Sequence, residues 1–280
     1  MSEKIWFITG ASRGFGRLWA EAALKRGDKV VATARNIDTL APLAEAYGAS
    51  FLALTLDVNE RDAVTAAVAQ AQRHFGRIDV VVNNAGFGVA GVIEELDEAD
   101  VRAQFDTNVF GALWVTQAVL PIMRAQKSGH ILSVSSLLGI VAVPNLGIYN
   151  ASKWALEGLM DTLAQEVGAM GVKVTLIEPG AYSTDFSEAS SMRFSQPIDA
   201  YEEVRQRAAA SFTPDMFGDP AATAEAVLKV VDADTPPLRI FLGAVAGPFA
   251  RQVYEQRLAT WDGWADVSVK AHGAPATPAR

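Results

Sequence analysis

The chain has 280 residues, half of them apolar, with a formal charge of −8 and no cysteine. That is enough apolar material to cover both faces of a buried parallel sheet in one large α/β domain. The acidic balance argues against a nucleic-acid or anionic-membrane partner, since either needs a basic footprint. Without cysteine there is no disulfide framework or thiolate metal site, and His74, His130 and His272 stand apart without ligand spacing, so no metal is assigned. The chain enters an apolar strand within a few residues of Met1 and has no run near eighteen apolar residues, so a soluble, cytoplasmic protein is expected.

In chain order, strands are predicted at Ile5 to Thr9, Lys29 to Ala34, Phe51 to Leu56, Asp79 to Val82, His130 to Val134, Val172 to Ile177 and Leu238 to Leu242. Helical spacing falls between them at Gly14 to Arg26, Asp38 to Tyr47, Arg61 to Phe75, Asp97 to Arg124, Tyr149 to Ala169 and Ala221 to Val231. This alternation predicts a doubly wound, Rossmann-type α/β fold: a seven-stranded parallel sheet with helices on both faces, in one domain over residues 1–270. Such sheets bind ligands beyond the carboxyl ends of their strands, and Gly10, Asp57, Asn83, Ser136 and Pro179 all follow strands. Ser183 to Asp219 breaks the pattern: it is long, rich in Ser, Phe and Met, and is expected to be a substrate lid. After Leu242 a segment with Phe249, Tyr254, Trp261 and Trp264 begins as a helix, and the Ala/Pro tail from His272 to Arg280 is expected to be disordered.

Tyr149 and Lys153 lie four apart on a predicted helix, so both occupy one face and the ammonium can favour ionisation of the phenol. An ordinary helix surface would show the same spacing; Ser136 upstream and the glycine turn at the start of the chain give the pair its meaning. That turn, Thr9-Gly10-Ala11-Ser12-Arg13-Gly14-Phe15-Gly16, joins the first strand to the first helix, where free N–H groups attract phosphate. Its Gly-x-x-x-Gly-x-Gly spacing departs from the Gly-x-Gly-x-x-Gly fingerprint. The second strand ends Val31-Ala32-Thr33-Ala34-Arg35, with no carboxylate to hold a ribose 2′-hydroxyl. Arg35 and Arg13 offer a clamp for a 2′-phosphate instead, which makes NADP(H) the expected cofactor.

Thr9-Gly10-x-x-x-Gly14-x-Gly16, Leu56-Asp57-Val58, Asn83-Asn84-Ala85-Gly86, Thr107-Asn108-Val109, Ser136, Tyr149-x-x-x-Lys153 and Pro179-Gly180-x-x-x-Thr184 occur in the order typical of the short-chain dehydrogenases and reductases. The chain resembles that family from Lys4 to about Phe186, and the wording of its glycine turn is similar to the hydroxysteroid- and retinol-dehydrogenase-like branch. The resemblance implies a cofactor site built from Gly10, Ser12, Arg13, Phe15 and Gly16, with contact at Phe15 largely through backbone. It further implies that Asp57 and Val58 hold the adenine, that Asn84, Ala85 and Gly86 line the ribose side, and that Thr184, following Pro179 and Gly180, contacts the nicotinamide amide. Lys153 would bond the nicotinamide ribose beside Tyr149, and Asn108 would hold a water that relays protons. It also implies a homodimer or homotetramer joined through the helices Asp97 to Arg124 and Tyr149 to Ala169.

The expected reaction is reversible hydride transfer between NADP(H) and a carbonyl or secondary alcohol, with Tyr149 donating the proton during reduction and Ser136 hydrogen-bonding the substrate oxygen. A hydrolase is disfavoured, because no Gly-x-Ser-x-Gly elbow surrounds Ser136. A non-catalytic dinucleotide sensor on the same fold is the alternative. Leu137, Leu138, Val141, Val143, Leu146 and Ile148 point to an apolar substrate, as do Phe186, Met192, Phe194, Phe212, Met216 and Phe217 of the lid, although packing explains such residues equally well. Arg193, Arg205 and Arg207 are expected to be solvated.

Overall fold

The structure is a computed structural model that describes residues 3–184 and 191–273. Its strands are β1 (Ile5–Ile8), β2 (Lys29–Ala34), β3 (Phe51–Thr55), β4 (Val80–Asn83), β5 (Gly88–Ala90), β6 (Gly129–Val134), β7 (Val172–Pro179), β8 (Met192–Phe194) and β9 (Arg239–Leu242). The seven strands expected from the sequence form one sheet in the order β3-β2-β1-β4-β6-β7-β9, and every neighbouring pair is parallel. β1 and β4 are buried along their whole length, which is why they read as unbroken apolar runs.

The strand period of two feeds two cores. Phe7 of β1 enters the core beneath α3 (Arg61–Phe75), α5 (Ala112–Gln126) and α6 (Gly147–Val167), with Val64, Val115, Leu156 and Met160. Its neighbours Trp6 and Ile8 enter the opposite core beneath α1 (Gly14–Lys25), α2 (Ala41–Tyr47) and α8 (Thr223–Asp232), with Trp19, Leu43 and Val227. The order of strands reverses direction between β1 and β4, so the crevice above these two is the switch point of the sheet.

Three features depart from the sequence expectation. The helix expected from Asp97 to Arg124 is divided into α4 (Glu98–Phe105), a π-helical segment Asp106–Gly111, and α5, which continues through Pro121. A Cβ at Gly111 would lie 2.6 Å from Val58 Cγ2, so close packing on the loop after β3 fixes the point where the extra residue is absorbed. The expected lid also holds regular structure. β8 pairs in parallel with β5, and α7 (Glu202–Ala210) follows it without a single buried residue. Phe186, with the rest of 185–190, lies outside the described residues. Finally, α9 (Ala246–Gly263) is followed by α10 (Ala265–His272), so helix reaches the first residue of the expected tail; 274–280 lie outside the described residues. Among the described residues no helix is long and apolar enough to cross a membrane.

Candidate active site

The turns after β1 and β4 are fitted to each other at the switch point. Gly10 has φ +64°, and a Cβ there would lie 2.9 Å from Ala85 Cα. At Gly16 a Cβ would meet Asn84 Nδ2 at 2.5 Å and the Gly10 carbonyl at 2.7 Å. Asn84 Nδ2 donates to the carbonyls of Thr9 and Gly10, each at 2.9 Å. The Asn84 and Ala85 N–H groups donate to Thr9 Oγ1 at 3.0 and 3.1 Å. Asn84 therefore braces the glycine turn through its side chain, and so does Thr9, which stands in the motif but to which the resemblance assigns no role. Gly14, by contrast, has φ +56° and no atom within 4 Å of a Cβ position. It opens α1, whose first-turn N–H groups have no partner within the helix and form a cradle suited to the phosphates of a dinucleotide.

Around the cradle, Phe15 stacks on Trp19 at 5.2 Å and meets the edge of Tyr182 at 5.3 Å, while Ser12 is half-buried. Arg13 Nη2 donates to Ser191 Oγ at 2.6 Å, so this arginine reaches toward the cover over the site. Arg35 is exposed just past the end of β2. Asp57, half-buried after β3, accepts from the Asn59 N–H at 3.0 Å, and Val58 beside it is buried. Pro179 ends β7; Gly180 N–H donates to the Leu242 carbonyl at 2.9 Å and Thr184 N–H to the Tyr182 carbonyl at 2.9 Å.

α6 brings Tyr149, Ser152 and Lys153 inward, all three buried. Lys153 Nζ donates to the Val134 carbonyl at the end of β6, 2.8 Å away. Ser136 follows that strand end and caps a short 3-10 turn, its Oγ accepting from the Leu138 N–H at 3.0 Å, and its hydroxyl hydrogen-bonds the Tyr149 phenol. Ser152 Oγ donates to the Tyr149 carbonyl at 2.8 Å and accepts from Asn108 Nδ2 at 3.1 Å. Asn108 also clamps Phe87, donating to its carbonyl at 2.9 Å and accepting its N–H at 3.1 Å. Ser152 was legible only as part of the Tyr149-to-Lys153 segment; its link to Asn108 spans 44 residues.

Electrostatics in this cluster follow burial. The Tyr149 phenol is pushed up to about 12 by desolvation, which outweighs the hydrogen bond from Ser136. Burial therefore outweighs the expected lowering by Lys153, whose ammonium lies 5.7 Å from the Tyr149 ring centre and donates to the Val134 carbonyl. Lys153 is itself pulled down to about 8 by burial, against an opposing pull from Glu157. Gly86 joins these groups to the cradle, since a Cβ there would lie 3.0 Å from Asn108 Oδ1 and 3.8 Å from Lys153 Nζ. Ser136, Tyr149, Lys153 and Asn108 thus converge, and Asn108 and Lys153 pack against Gly86 of the turn after β4.

The substrate side is mixed. Leu137 and Val141 are buried against Ala246 and Ala250 of α9, so these two are packing residues. Val143, Leu146 and Ile148 are half-buried, and Phe194, Phe212 and Phe217 of the cover are exposed. Of the cover arginines, Arg193 and Arg207 are exposed as expected, and Arg205 is not. Arg193 pairs with Asp100 at 2.7 Å, Arg207 pairs with Glu203, and Arg205 pairs with both Glu95 and Glu202. Glu95 has 1% side-chain exposure and accepts the N–H groups of Val92 at 3.0 Å and Ile198 at 2.7 Å. Those bonds, led by the one from Ile198, hold its carboxyl below the usual range.

A parallel sheet with a glycine cradle at its switch point and a buried Ser/Tyr/Lys cluster beside it defines the dinucleotide-binding oxidoreductase class. Residues 4–195 match the model of the short chain dehydrogenase family, and the chain belongs to that family as an oxidoreductase. It is 41% identical over 270 residues to oxidoreductase BOA17 of Botryotinia fuckeliana, covering 95% of this chain and 98% of that one. The solved structure of a short-chain dehydrogenase from Streptomyces avermitilis superposes with a TM-score of 0.89 at 38% identity, covering 96% and 98% of the two chains. An alcohol dehydrogenase from Thermococcus sibiricus complexed with 5-hydroxy-NADP gives 0.73 at 27% identity, with 88% and 98% covered. A Burkholderia phymatum short chain dehydrogenase/reductase in complex with NAD gives 0.75 at 27%, with 100% and 98% covered.

Proposed function

We propose that this protein is an NADP(H)-dependent oxidoreductase that interconverts apolar carbonyl compounds and secondary alcohols. The observation that carries the reading is the convergence of buried Ser136, Tyr149 and Lys153, with Lys153 packed against Gly86 of the turn after β4. Gly10, Ser12, Arg13, Phe15 and Gly16 would hold the pyrophosphate end of the cofactor, Asp57 and Val58 the adenine, and Asn84, Ala85, Gly86, Pro179, Gly180 and Thr184 the nicotinamide half. The cofactor supplies the hydride when bound. Arg35 at the end of β2, where no carboxylate stands, supports the phosphorylated form, and Arg13 flanks the same cradle.

In reduction, Tyr149 is the proton donor. Its high pKa keeps it protonated across neutral pH, so it enters the reaction as an acid. Ser136, already bonded to that phenol, shares the charge that develops on the substrate oxygen. Lys153 fixes the Val134 strand end and places a positive charge next to the phenol as it gives up its proton. Asn108, which faces Gly86, would hold a water through which a proton returns to Tyr149. The half-buried Val143, Leu146 and Ile148 and the cover aromatics support an apolar substrate. Phe110 and Trp154, exposed on the π-helical segment and on α6, support assembly as a homo-oligomer through those helices, which size-exclusion chromatography with light scattering measures.

The test is the initial rate of NADPH and NADH oxidation with a panel of apolar ketones and aldehydes, each run with the wild type. Turnover that favours NADPH is expected; cofactor binding without turnover on any carbonyl would replace this reading with that of a dinucleotide sensor.

A further inference from the structure

Behind Lys153, away from the cradle, α6 turns Glu157 into the same buried layer, and Glu178 of β7 lies against it. Glu157 is 5% exposed and Glu178 0%. Both carboxyl groups lie against the one guanidinium of Arg239, and neither oxygen of Glu178 has a hydrogen-bond partner among the described residues, so two full negative charges there repel and favour one proton between the pair. Arg239 of β9 binds the pair from the far side, with Nε 2.9 Å from Glu157 Oε2 and 3.5 Å from Glu178 Oε1, and its Nη2 reaches Asp161 at 2.7 Å. The other oxygen of Glu157 points toward the catalytic side. A Cβ at Gly139 would meet both Ser135 Oγ, at 2.5 Å, and Glu157 Oε1, at 3.2 Å, and neither of those atoms has another partner. A cavity of about 810 Å³ opens onto the pair between α6, β9 and α9, with Arg251 and Glu255 of α9 on its wall.

We propose that Glu157 is a positioning residue for the proton-transfer site: with Glu178 it forms a buried acid pair that holds one negative charge behind Lys153 and keeps that lysine cationic. This rests on the proposed function, in which Lys153 must carry its charge. The groups facing Lys153 are Tyr149 and Glu157 on its own helix and Asn108 across the Gly86 loop; those facing the pair are Arg239, Asp161, Arg251 and Glu255. Among the described residues Glu157 makes no direct ion pair with Lys153, so it acts through space in a poorly screened interior. Its pull opposes the burial that draws the lysine down, while Glu178, pushed up to about 8 by burial and by Glu157, is the member that carries the proton at neutral pH. Arg239 and the cavity leave that proton exchangeable with solvent.

Because the two acids share one charge, removing either leaves one carboxylate. In Glu178→Gln, Glu157 stays ionised; in Glu157→Gln, relief of repulsion lets Glu178 ionise farther from the lysine. The experiment is therefore the pH dependence, from 6 to 10, of both kcat/KM for ketone reduction and NADPH affinity read by fluorescence, in wild type, both single variants, the double variant and Glu157→Asp. The alkaline limb of both profiles is expected to move down by about one pH unit in the Glu157→Gln/Glu178→Gln double variant, roughly a tenfold loss above the limb. It should move by less than half of that in either single variant and be largely restored in Glu157→Asp. Profiles that keep their limb in the double variant, or that lose activity equally at every pH, overturn the proposal. If the double variant does not fold, Glu157→Gln decides alone: a limb displaced by about 0.3 pH unit is expected, and one that stays in place or moves by about a full unit overturns the shared charge. A wild type that binds NADPH but reduces no carbonyl removes the catalytic reading, and the binding profile still tests the acid pair.

Discussion

The floor of the site and its cover are built by different physics. The floor, from the end of β6, α6 and the π-helical segment Asp106–Gly111, keeps Asn108, Ser136, Tyr149 and Lys153 within a layer of residues that are at most 8% exposed, each bonded to backbone or to another member. The cover, from Ser191 to Asp219, has almost no core: α7 buries nothing, and Phe194 is 67% exposed. It is held by polar links, Arg13 to Ser191, Arg193 to Asp100, Tyr201 to Glu94 and Arg205 to Glu95, together with the short β5–β8 ladder. Buried groups have perturbed protonation and fixed geometry, and on the cover the Arg205–Glu95 link is of that kind, while exposed links such as Arg193 to Asp100 exchange readily with water. On the proposed function, chemistry belongs to the floor and selection of substrate to the part that is cheap to rearrange.

Changes in the two parts should have distinct signatures. The largest effect belongs to the floor: Tyr149→Phe is expected to lower turnover at least about 10³-fold while NADPH affinity stays within about twofold, measured by steady-state rates and fluorescence titration. Unchanged turnover would remove Tyr149 from its role. Acid should also strike the floor first. His130 of β6 is buried, its Nε2 2.9 Å from Thr175 Oγ1, and burial pulls it from 6.5 down to about 3. The unfolded chain takes up that proton and the folded chain refuses it, so stability falls as pH drops below 6.5 and levels off near 3. The slope from this group is roughly 1.4 kcal/mol per pH unit. Denaturant melts of wild type and His130→Gln across pH 4 to 8 should diverge on the acid side; parallel curves would contradict it.

On the cover, Glu95→Ala releases the Ile198 N–H and Arg205 together, and is expected to raise KM for an apolar ketone roughly tenfold with kcat within about twofold. A fall in kcat of Tyr149-like size would erase the division between the two regions. Arg35→Ala, at the edge of the cradle, should reduce the NADPH-over-NADH ratio of kcat/KM by roughly tenfold at most, without changing the ketone ranking. Smallest of all, Arg102→Ala breaks an i,i+4 surface pair with Glu98 and should shift thermal stability by less than about 0.5 kcal/mol. A larger shift would show that the α4 surface is more than a solvated face.

How much of this was legible in the sequence follows the same division. The seven strands of the main sheet could be read because each is a β-branched or apolar run long enough to show its period, and the cradle because Gly10 and Gly16 have no room for a Cβ. The Tyr149, Lys153 and Ser136 cluster was legible because helix geometry fixes the first two and a strand end fixes the third. The β5–β8 ladder was not, since three residues on each side carry no periodicity. Nor was the role of Arg205: its partner Glu95 lies far away in sequence, and only the fold makes that glutamate a buried acceptor. The sign of the Tyr149 shift was misjudged for a related reason, because spacing reveals a neighbouring charge but not how much water has been removed from around it.

The π-helical segment Asp106–Gly111 has a consequence for the tolerance of the chain to deletion. Each residue advances an α-helix by about 100°. Removing one residue from this stretch would restore a regular helix from Glu98 onward, locally the better hydrogen-bonded structure, yet it would put α4 and α5 out of phase. Either Asn108 would swing away from Phe87 and Ser152, or Val115, Val119 and Met123 would leave the core. The irregular turn is the phase correction that lets one continuous rod serve a core and a reaction at once.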